Sequence, residues 1–197
     1  MKHLLRISAV VGLLALAAPA AASAATTATA GTCGTGSPVF ARWNDNSSYQ
    51  LAPNGDVEAG SLGSTLSGGA AVVAGGDPFA LGGKASTKAL ALPAGSSATT
   101  ASNCIATGMP TFRLLARNLG SATAKLRVEV VYGSGASKVS RVAADITAGT
   151  AWAPTKQLSL ALGLVGDATN VQFRFTPLDS AGRWQIDSVY IDPIMRR

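Results

Sequence analysis

The sequence predicts an all-β protein, a two-sheet antiparallel β-sandwich or jelly roll. Apolar and charged side chains alternate in residues 125–132, in residues 171–175 and in Thr111–Asn118, and a period of two is that of a half-buried strand. The apolar runs are short and are separated by Gly, Pro, Asn, Asp and Ser, which is typical of strands joined by turns. Helix is poorly supported, because the leucines of residues 154–163 are spaced two apart.

The alternation also predicts which side chains face the core. In residues 125–132, Leu126, Val128 and Val130 are expected inward, with Arg127 and Glu129 in water. The same pattern recurs in two other segments, where the inward set is Phe112, Leu114 and Ala116 and then Val171, Phe173 and Phe175. About nine strands are predicted, which suits two sheets: residues 39–43, 66–74, 88–92, 111–118, 125–132, 138–146, 157–162, 171–175 and 183–191.

The N-terminus has the order of a secretory signal peptide. Lys2, His3 and Arg6 precede an apolar run at residues 7–18, and the small residues 22–24 follow. This order predicts a signal peptide of residues 1–24, a flexible leader of residues 25–32 and a single β-sandwich domain of residues 33–197. The protein is therefore expected to be secreted, outside the cytoplasm, with no membrane span in its mature form.

Charge and cysteine content fit an exported domain. The net charge of +6 loses two units with Lys2 and Arg6, and so modest a charge without a basic cluster predicts no nucleic-acid partner. Cys33 and Cys104 are the two cysteines. In an oxidising compartment an even pair predicts a disulfide, since neither a Cys-x-x-Cys spacing nor a neighbouring histidine indicates a reactive thiol.

The composition argues against common catalytic machinery. The sole histidine, His3, leaves with the signal peptide, which excludes Ser-His-Asp and Cys-His triads from the mature chain and nearly all catalytic zinc sites. No nucleophile elbow, Walker sequence or dinucleotide fingerprint occurs. We therefore expect a non-enzymatic protein, with a glycosidase or lyase built on two carboxylates as the alternative.

Two carboxylate-bearing segments resemble a known family. The first reads Asn-Gly-Asp-Val-Glu-Ala-Gly at residues 54–60, and the second reads Trp-Gln-Ile-Asp-Ser-Val-Tyr-Ile-Asp-Pro at residues 184–193. They resemble the opening and closing motifs of jelly-roll, galactose-binding-like carbohydrate-binding modules, with Val57 in place of the usual aromatic residue and Ser188 in place of a second Asp. The chain as a whole is similar to small exported proteins from high-GC Gram-positive bacteria.

The resemblance implies a structural calcium ion. In such modules the opening Glu and the closing Asp ligate the ion, which carries over to Glu58 and Asp187, with Asp56 and Asp192 as further candidates. Calcium takes six to eight oxygen ligands, and adjacent first and last strands can supply them. The alternative is that these carboxylates cap turns and strand ends through hydrogen bonds to the backbone.

Aromatic and basic side chains give weaker binding candidates. Trp43, Trp152 and Trp184 could each stack on a sugar, although core packing is the expectation for each tryptophan. Tyr49 and Trp152 lie in loop-like sequence and are the better candidates for a surface position. Five basic residues fall on the polar side of their strands and would form a basic stripe if those strands were neighbours: Arg113, Arg117, Lys125, Arg127 and Arg174. Such a stripe could meet an anionic wall polymer or acidic glycan, or be a solvated sheet face.

Together these observations predict a secreted, non-catalytic module that binds a glycan, a cell-wall polymer or another component of the cell envelope. The candidate ligand-binding residues are Trp152, Tyr49, Arg113, Arg127 and Arg174. Calcium is the only cofactor expected. A structural protein of the envelope is the remaining alternative, and stable self-association without any ligand would distinguish it.

Overall fold

The computed structural model of the chain describes residues 36–61, 63–105, 111–133, 135–160 and 168–192. These residues form thirteen strands and three short 3-10 helices. The strands are β1 (Gln50–Leu51), β2 (Thr65–Ser67), β3 (Ala71–Ala74), β4 (Lys88–Pro93), β5 (Ser97–Thr99), β6 (Asn103–Ile105), β7 (Thr111–Asn118), β8 (Leu126–Tyr132), β9 (Val139–Ile146), β10 (Ala153–Pro154), β11 (Leu158–Ser159), β12 (Ala168–Pro177) and β13 (Arg183–Ile191).

The strands form two antiparallel sheets. Sheet one has the order β10-β7-β13-β4-β3, with β1 also paired to β13 and β11 to β7; sheet two has the order β2-β5-β12-β8-β9, with β6 also paired to β12. The predicted all-β jelly-roll sandwich is confirmed. Within the described residues no helix is long and apolar enough to cross a membrane.

The core lies between the two sheets, and the alternation predicted its members. Phe112 and Leu114 of β7 face Phe173 of β12, and the rings of Phe112 and Phe173 stack with centroids 4.2 Å apart. Val128 and Trp184 are buried in the same cluster. The inward sets predicted for β7, β8 and β12 are therefore correct, because a period of two determines the face of each side chain once the strand forms.

Two predicted strands were wrong. Residues 39–43 contain a 3-10 helix, Ala41–Trp43, which ends at Asn44 in the left-handed conformation. Residues 66–74 form two strands, β2 and β3, in different sheets. The chain changes sheet at Gly68 and Gly69, both at positive φ, and a Cβ on Gly68 would collide with the carbonyl oxygen of Gly95. The turn therefore requires glycine there.

Residues 37–51, which we call the N-terminal cover, lie on the outer face of sheet one. Tyr49 bridges to Ser37, and β1 pairs with the end of β13. Phe40 contacts Tyr49 and Tyr190 edge to face, with ring centroids 4.9 and 5.7 Å apart. The cover therefore buries the second face of sheet one under a small aromatic core.

Several predictions fall wholly or partly outside the described residues. The signal peptide, the leader and Cys33 belong to residues 1–35, and residues 161–162 of the predicted strand 157–162 lie outside as well. Cys104 lies in β6. The disulfide therefore stays a prediction, and the intact mass of the exported protein checks it by the loss of two hydrogens.

Candidate functional site

The structure brings Glu58 and Asp187 together. The Ser86 hydroxyl lies 2.7 Å from Asp187 Oδ2 and 3.2 Å from Glu58 Oε1, and 3.1 Å from the carbonyl oxygen of Lys88. We call this group of four residues the carboxylate junction. Glu58 is not on a strand but in the turns between β1 and β2, so the junction joins a loop to β13.

The turn at residues 52–60 positions Glu58. Asn54 holds the turn closed, because its Nδ2 donates to the Gly60 carbonyl at 2.8 Å and its Oδ1 accepts from the Ala59 amide. Gly55 lies against β13, where its carbonyl accepts from the Val189 amide at 3.0 Å and a Cβ would come within 2.6 Å of the Val189 carbonyl oxygen. The Asn-Gly of the opening motif thus serves close packing against β13.

Glu58 carries a strongly stabilised negative charge. Its carboxylate accepts hydrogen bonds from the Thr87 hydroxyl at 2.6 Å, the Thr87 amide at 2.7 Å and the Lys88 amide at 2.8 Å. These bonds, the Thr87 hydroxyl first, lower the pKa of Glu58 to about 2, since they favour the ionised form. The Lys88 ammonium donates at 2.6 Å to the Glu58 backbone carbonyl rather than to the carboxylate.

Asp187 is in the opposite situation. Its side chain is 1 % exposed, and burial raises the pKa of Asp187 to about 7 although Ser86, the Asp77 amide and the Ser188 amide donate to it; the charge of Asp77 adds to the increase. Asp187 precedes an irregularity in β13, where Ser188 has a φ of 52° and the register shifts before Tyr190. This bulge directs Asp187 and Tyr190 to the same outer face of sheet one.

The other two predicted calcium ligands behave differently from each other. Asp56 lies beside the junction, and its Oδ1 accepts from the Glu58 amide at 3.3 Å. Asp192 directly follows β13, five residues beyond Asp187 and about 16 Å of extended chain away, and its amide donates to the Thr111 carbonyl. The structure therefore does not bring Asp192 to the junction. Among the described residues, no three His, Cys, Asp or Glu side chains form a metal-binding group.

The surface position considered for Tyr49 and Trp152 is wrong, whereas the core packing expected for the tryptophans is found for Trp152. Tyr49, which is part of the N-terminal cover, is 1 % exposed, and Trp152, under the cover, is 9 % exposed. The Tyr49 hydroxyl donates to Asp45 at 2.6 Å and accepts from Gln157 at 2.9 Å. Neither ring is available to stack on a sugar, because both pack in the small aromatic core between the cover and sheet one.

The basic residues do not form a single stripe, because β7 lies in sheet one and β8 and β12 lie in sheet two. Arg113 lies under the cover, paired with Asp45 at 2.6 Å and placed over the Phe40 ring at 4.6 Å, and it is buried. Arg117 lies on the same face of sheet one, over Trp152. Arg127 and Arg174 lie on the outer face of sheet two instead. Arg113 and Arg117 thus belong to one side of the sandwich, and Arg127 and Arg174 belong to the opposite side.

The outer face of sheet two is open and contains a cavity of about 530 Å³, which we call the sheet-two groove. Its lining residues include Ser97, Arg127, Glu129, Arg174, Thr176 and Leu178. Arg174 stands opposite Glu129 on the neighbouring strand, at 3.7 Å, and Arg127 makes two hydrogen bonds to Asp145 at 2.9 and 3.0 Å. Each cation thus has a carboxylate beside it.

Ser86, Asp77 and Tyr190 also belong to this region, and no sequence pattern marks them as site residues. Tyr190 lies within the closing motif, and its outward direction depends on the Ser188 bulge, which alternation alone does not reveal. Ser86 and Asp77 lie in the glycine-rich segment before β4. No local signal indicates that their side chains meet β13, because the contacts span about a hundred residues.

No family model matches the chain, and no curated protein matches it. Among solved structures, it resembles the N-terminal CBM22-1–CBM22-2 tandem of Xyn10C from Paenibacillus barcinonensis at 13 % identity and a TM-score of 0.50, covering 76 % of this chain and 46 % of that one. The CBM22-1 xylan-binding domain of the same protein gives 15 % identity and a TM-score of 0.48, and the match covers 68 % of this chain and 88 % of that one. The family 11 carbohydrate-binding module from Clostridium thermocellum gives 15 % identity and a TM-score of 0.49, and the match covers 75 % of this chain and 97 % of that one.

These neighbours are carbohydrate-binding modules with a jelly-roll fold. The match to the tandem has a TM-score of 0.50, and this chain spans about half of the tandem's length. At these identities the likeness establishes the fold, and function has to be argued from the residues of this chain.

Proposed function

We propose that the protein is a secreted, non-catalytic glycan-binding module and that the sheet-two groove is its binding face. One observation carries this proposal: an open polar groove of about 530 Å³ in which every charged side chain that lines it is paired. Cavities of this size accept small ligands, so the groove is large enough for a short stretch of polysaccharide.

The chemistry of the groove favours a neutral glycan over the anionic polymer that a basic stripe would select. Arg127 and Arg174 supply donors, while Glu129 and the hydroxyl groups of Ser97 and Thr176 supply acceptors. A sugar hydroxyl both donates and accepts, so interspersed groups of the two kinds suit it. Because each arginine has a carboxylate partner, the groove has little net charge to attract an anion.

The loose pair between Arg174 and Glu129 is the most adaptable part of the groove. At 3.7 Å the two groups attract each other without a direct hydrogen bond, and Glu129 already accepts from Ser140 at 2.6 Å. A vicinal diol can therefore bond to both groups without breaking a well-made interaction. The exposed Leu178 at the rim provides apolar contact for a sugar ring.

The arrangement of carboxylates supports a non-catalytic role. A glycosidase needs two carboxyl groups that both reach the scissile bond. Glu58 and Asp187 are near each other, but Asp187 is closed off from solvent and its oxygens accept bonds from protein donors. Glu129 is the one carboxylate among the described residues that line the groove, so the groove does not hold a pair of them. Secretion rests on the signal-peptide pattern of residues 1–24.

Affinity electrophoresis of the exported protein tests this proposal, with xylan and mixed-linked β-glucan as neutral probes and polygalacturonate as the anionic probe. We expect retardation by a neutral polysaccharide, and a loss of about tenfold in affinity for Glu129→Gln and Arg174→Ala, since each removes a hydrogen bond to ligand. Arg183→Ala is the matched control, because Arg183 is an exposed arginine at the start of β13 in sheet one.

Two outcomes contradict the proposal. One is no retardation by any probe, and the other is retardation that Glu129→Gln and Arg174→Ala leave unchanged. Stable self-association without ligand, measured by sedimentation, supports the alternative of a structural envelope protein. Release of reducing ends from a polysaccharide supports the carboxylate enzyme instead.

We also propose that the carboxylate junction holds a structural calcium ion. The oxygens present are of the kind that calcium binds: the carboxylates of Glu58 and Asp187, the Ser86 hydroxyl and the Lys88 carbonyl. Calcium would neutralise the buried charge of Asp187 and connect the opening turn to β13. Asp56 lies close enough to the junction to take part, whereas Asp192 does not.

A further inference from the structure

The N-terminal cover leaves part of the outer face of sheet one exposed, at the end of β13 away from β1. Arg117 of β7, Gln185 of β13, Ala91 of β4 and Ala71 of β3 stand opposite one another, in that order, on four neighbouring strands. We call this row the Arg117 ledge. Its side chains point outward, because the residues beside them on their strands face the core between the sheets. Ala71 is exposed and the other three are partly exposed.

Arg117 is held in one position on this ledge. Its Nε donates to Gln185 Oε1 at 2.7 Å, and its guanidinium carbon lies 4.7 Å from the centroid of the Trp152 ring, which is 9 % exposed. The two terminal amino groups of Arg117 make no hydrogen bond to any described residue, and no described carboxylate forms a salt bridge with them. Arg117 therefore presents its Nη1–Nη2 edge as a preorganised and unpaired fork.

The other polar groups of the ledge are also donors. Because the Gln185 oxygen accepts from Arg117, the amide nitrogen is the free end of that side chain, and it donates to none of the described residues. Arg183, two residues earlier on the same face of β13, is exposed and has no salt bridge to a described carboxylate. The buried Nε1 of Trp152 has no hydrogen-bond partner either. A set of donors beside a positive charge favours an anionic oxygen over a neutral hydroxyl.

The aspartates on this side of the molecule do not neutralise the ledge. Asp187 lies two residues beyond Gln185 on β13, and Asp77 approaches β13 by accepting from the Ser188 hydroxyl. Both aspartates are buried, and protein hydroxyl and amide groups donate to their oxygens. Neither forms a salt bridge with Arg117. The charge of Arg117 therefore remains available to a ligand.

We propose that the Arg117 ledge binds the carboxylate of a uronic acid in an acidic polysaccharide. The two carboxylate oxygens pair with Nη1 and Nη2 of Arg117, which is the geometry in which a guanidinium recognises a carboxylate, and the Gln185 amide donates to the same group. Ala91 and Ala71 have small side chains, so a pyranose ring has room to lie over β4 and β3 beside its charged group. This site goes beyond the sheet-two groove, because it lies on the opposite outer face and recognises a negative charge that a neutral glycan lacks.

Calorimetric titration with trigalacturonate and with its methyl ester at neutral pH tests the proposal. The two ligands share a backbone, and esterification removes the charge. We expect trigalacturonate to bind at least tenfold more tightly, a ratio that one charge-assisted hydrogen bond provides. Arg117→Lys keeps a positive charge but loses the planar fork, so it should reduce the affinity for trigalacturonate about tenfold.

Two further variants keep the test decisive. Gln185→Glu preserves the shape of the side chain and its bond to Arg117 but adds a negative charge, so it should abolish the preference for the acid over the ester. Lys156→Ala is the matched control, because it removes one positive charge from an exposed position between β10 and β11, and it should leave the affinity nearly unchanged. Retardation of Gln185→Glu by xylan should equal that of the unmodified protein, since the sheet-two groove lies on the other face.

Four results would overturn the proposal. The first is no binding of trigalacturonate, or equal binding of the acid and its ester. The second is a preference for the acid that Gln185→Glu leaves unchanged. The third is an equal loss of affinity in Lys156→Ala and Arg117→Lys, which would indicate general attraction to a positive protein. The fourth is a joint loss of xylan retardation in Gln185→Glu, which would mean that the two ligands do not bind at separate faces.

Discussion

The strands of both sheets alternate apolar and charged residues, but one outer face of the sandwich is covered by other residues and the other is open to solvent. In β7 the outward arginine Arg113 has a side chain that is 10 % exposed, and in β8 the outward arginine Arg127 has one that is 39 % exposed. Each is paired with an aspartate, Asp45 or Asp145. The difference arises because the N-terminal cover lies on sheet one, whereas the groove side of sheet two is open.

This comparison separates what a strand pattern determines from what it leaves open. Alternation decides which face a side chain takes, and it placed both arginines away from the inter-sheet core. Whether that face meets water depends on distant residues, here Phe40 and Asp45 of the cover. The same arginine-aspartate pair is therefore a buried structural element on one face and an exposed surface pair on the other.

The largest expected effect comes from breaking the buried pair. Arg113→Ala leaves Asp45 without its cation under the cover and removes two hydrogen bonds to the Thr155 carbonyl, so the free energy of unfolding should fall by about 3 to 5 kcal/mol. Arg127→Ala, the matched control on sheet two, should change the free energy of unfolding far less, because exposed ion pairs contribute little to stability. Urea unfolding measures both, and equal losses would show that the cover does not distinguish the two faces.

Calcium binding is the next largest effect, and it concerns the covered side. An ion bound only to the folded state stabilises it by about 2.7 kcal/mol at a hundredfold excess over its Kd. The melting temperature should therefore rise with calcium and fall with chelator, and Asp187→Ala should abolish the response. Asp145→Ala, on sheet two, is the control and should keep it. A melting curve that chelator leaves unmoved, with no calcium in metal analysis, refutes the site.

How far the sequence predicts this molecule depends on the range of the interactions. The faces of β7, β8 and β12 follow from local alternation, and the meeting of Glu58 with Asp187 was anticipated from the two motifs. The division of residues 66–74 between two sheets was not, since Gly68 is required by contact with Gly95, far along the chain. The sheet-two groove likewise depends on strand order, which sets Arg174 beside Glu129.

The stability of the covered side should also depend on pH through Asp187. Because burial raises the pKa of Asp187 from 3.8 to about 7, the folded state holds a proton there that the unfolded state has lost. In chelator, stability should therefore fall as pH rises from about 4 to about 7, by at most on the order of 1 kcal/mol per pH unit. Asp187→Asn should remove this slope, because an amide does not titrate in this range.

Glu58 provides the internal control for that measurement, because its pKa is lowered from 4.5 to about 2. The contribution of Glu58 to stability is complete above its ordinary pKa of 4.5 and is lost as pH falls through 2. Stability therefore rises with pH through Glu58 and falls with pH through Asp187, and the two effects occupy different pH ranges. Data above pH 5 therefore report Asp187 with Glu58 ionised. A stability that is flat from pH 5 to 7 in chelator contradicts the buried position of Asp187.

The smallest expected effect concerns the rim of the cover, where it resembles the open face. The guanidinium carbon of Arg42 lies 5.2 Å from the Trp43 ring centroid and 4.8 Å from that of Phe79, and these two rings contact each other edge to face at 4.9 Å. Exposed cation-π contacts contribute about 0.5 to 1 kcal/mol. Arg42→Ala should lower the free energy of unfolding by that amount, and Arg42→Lys by less. Tryptophan fluorescence follows the change, since Trp43 loses the charge over its ring. If Arg42→Ala lowers the free energy of unfolding as much as Arg113→Ala does, the rim of the cover is as well buried as its centre, and the contrast between a buried and an exposed cation does not hold there.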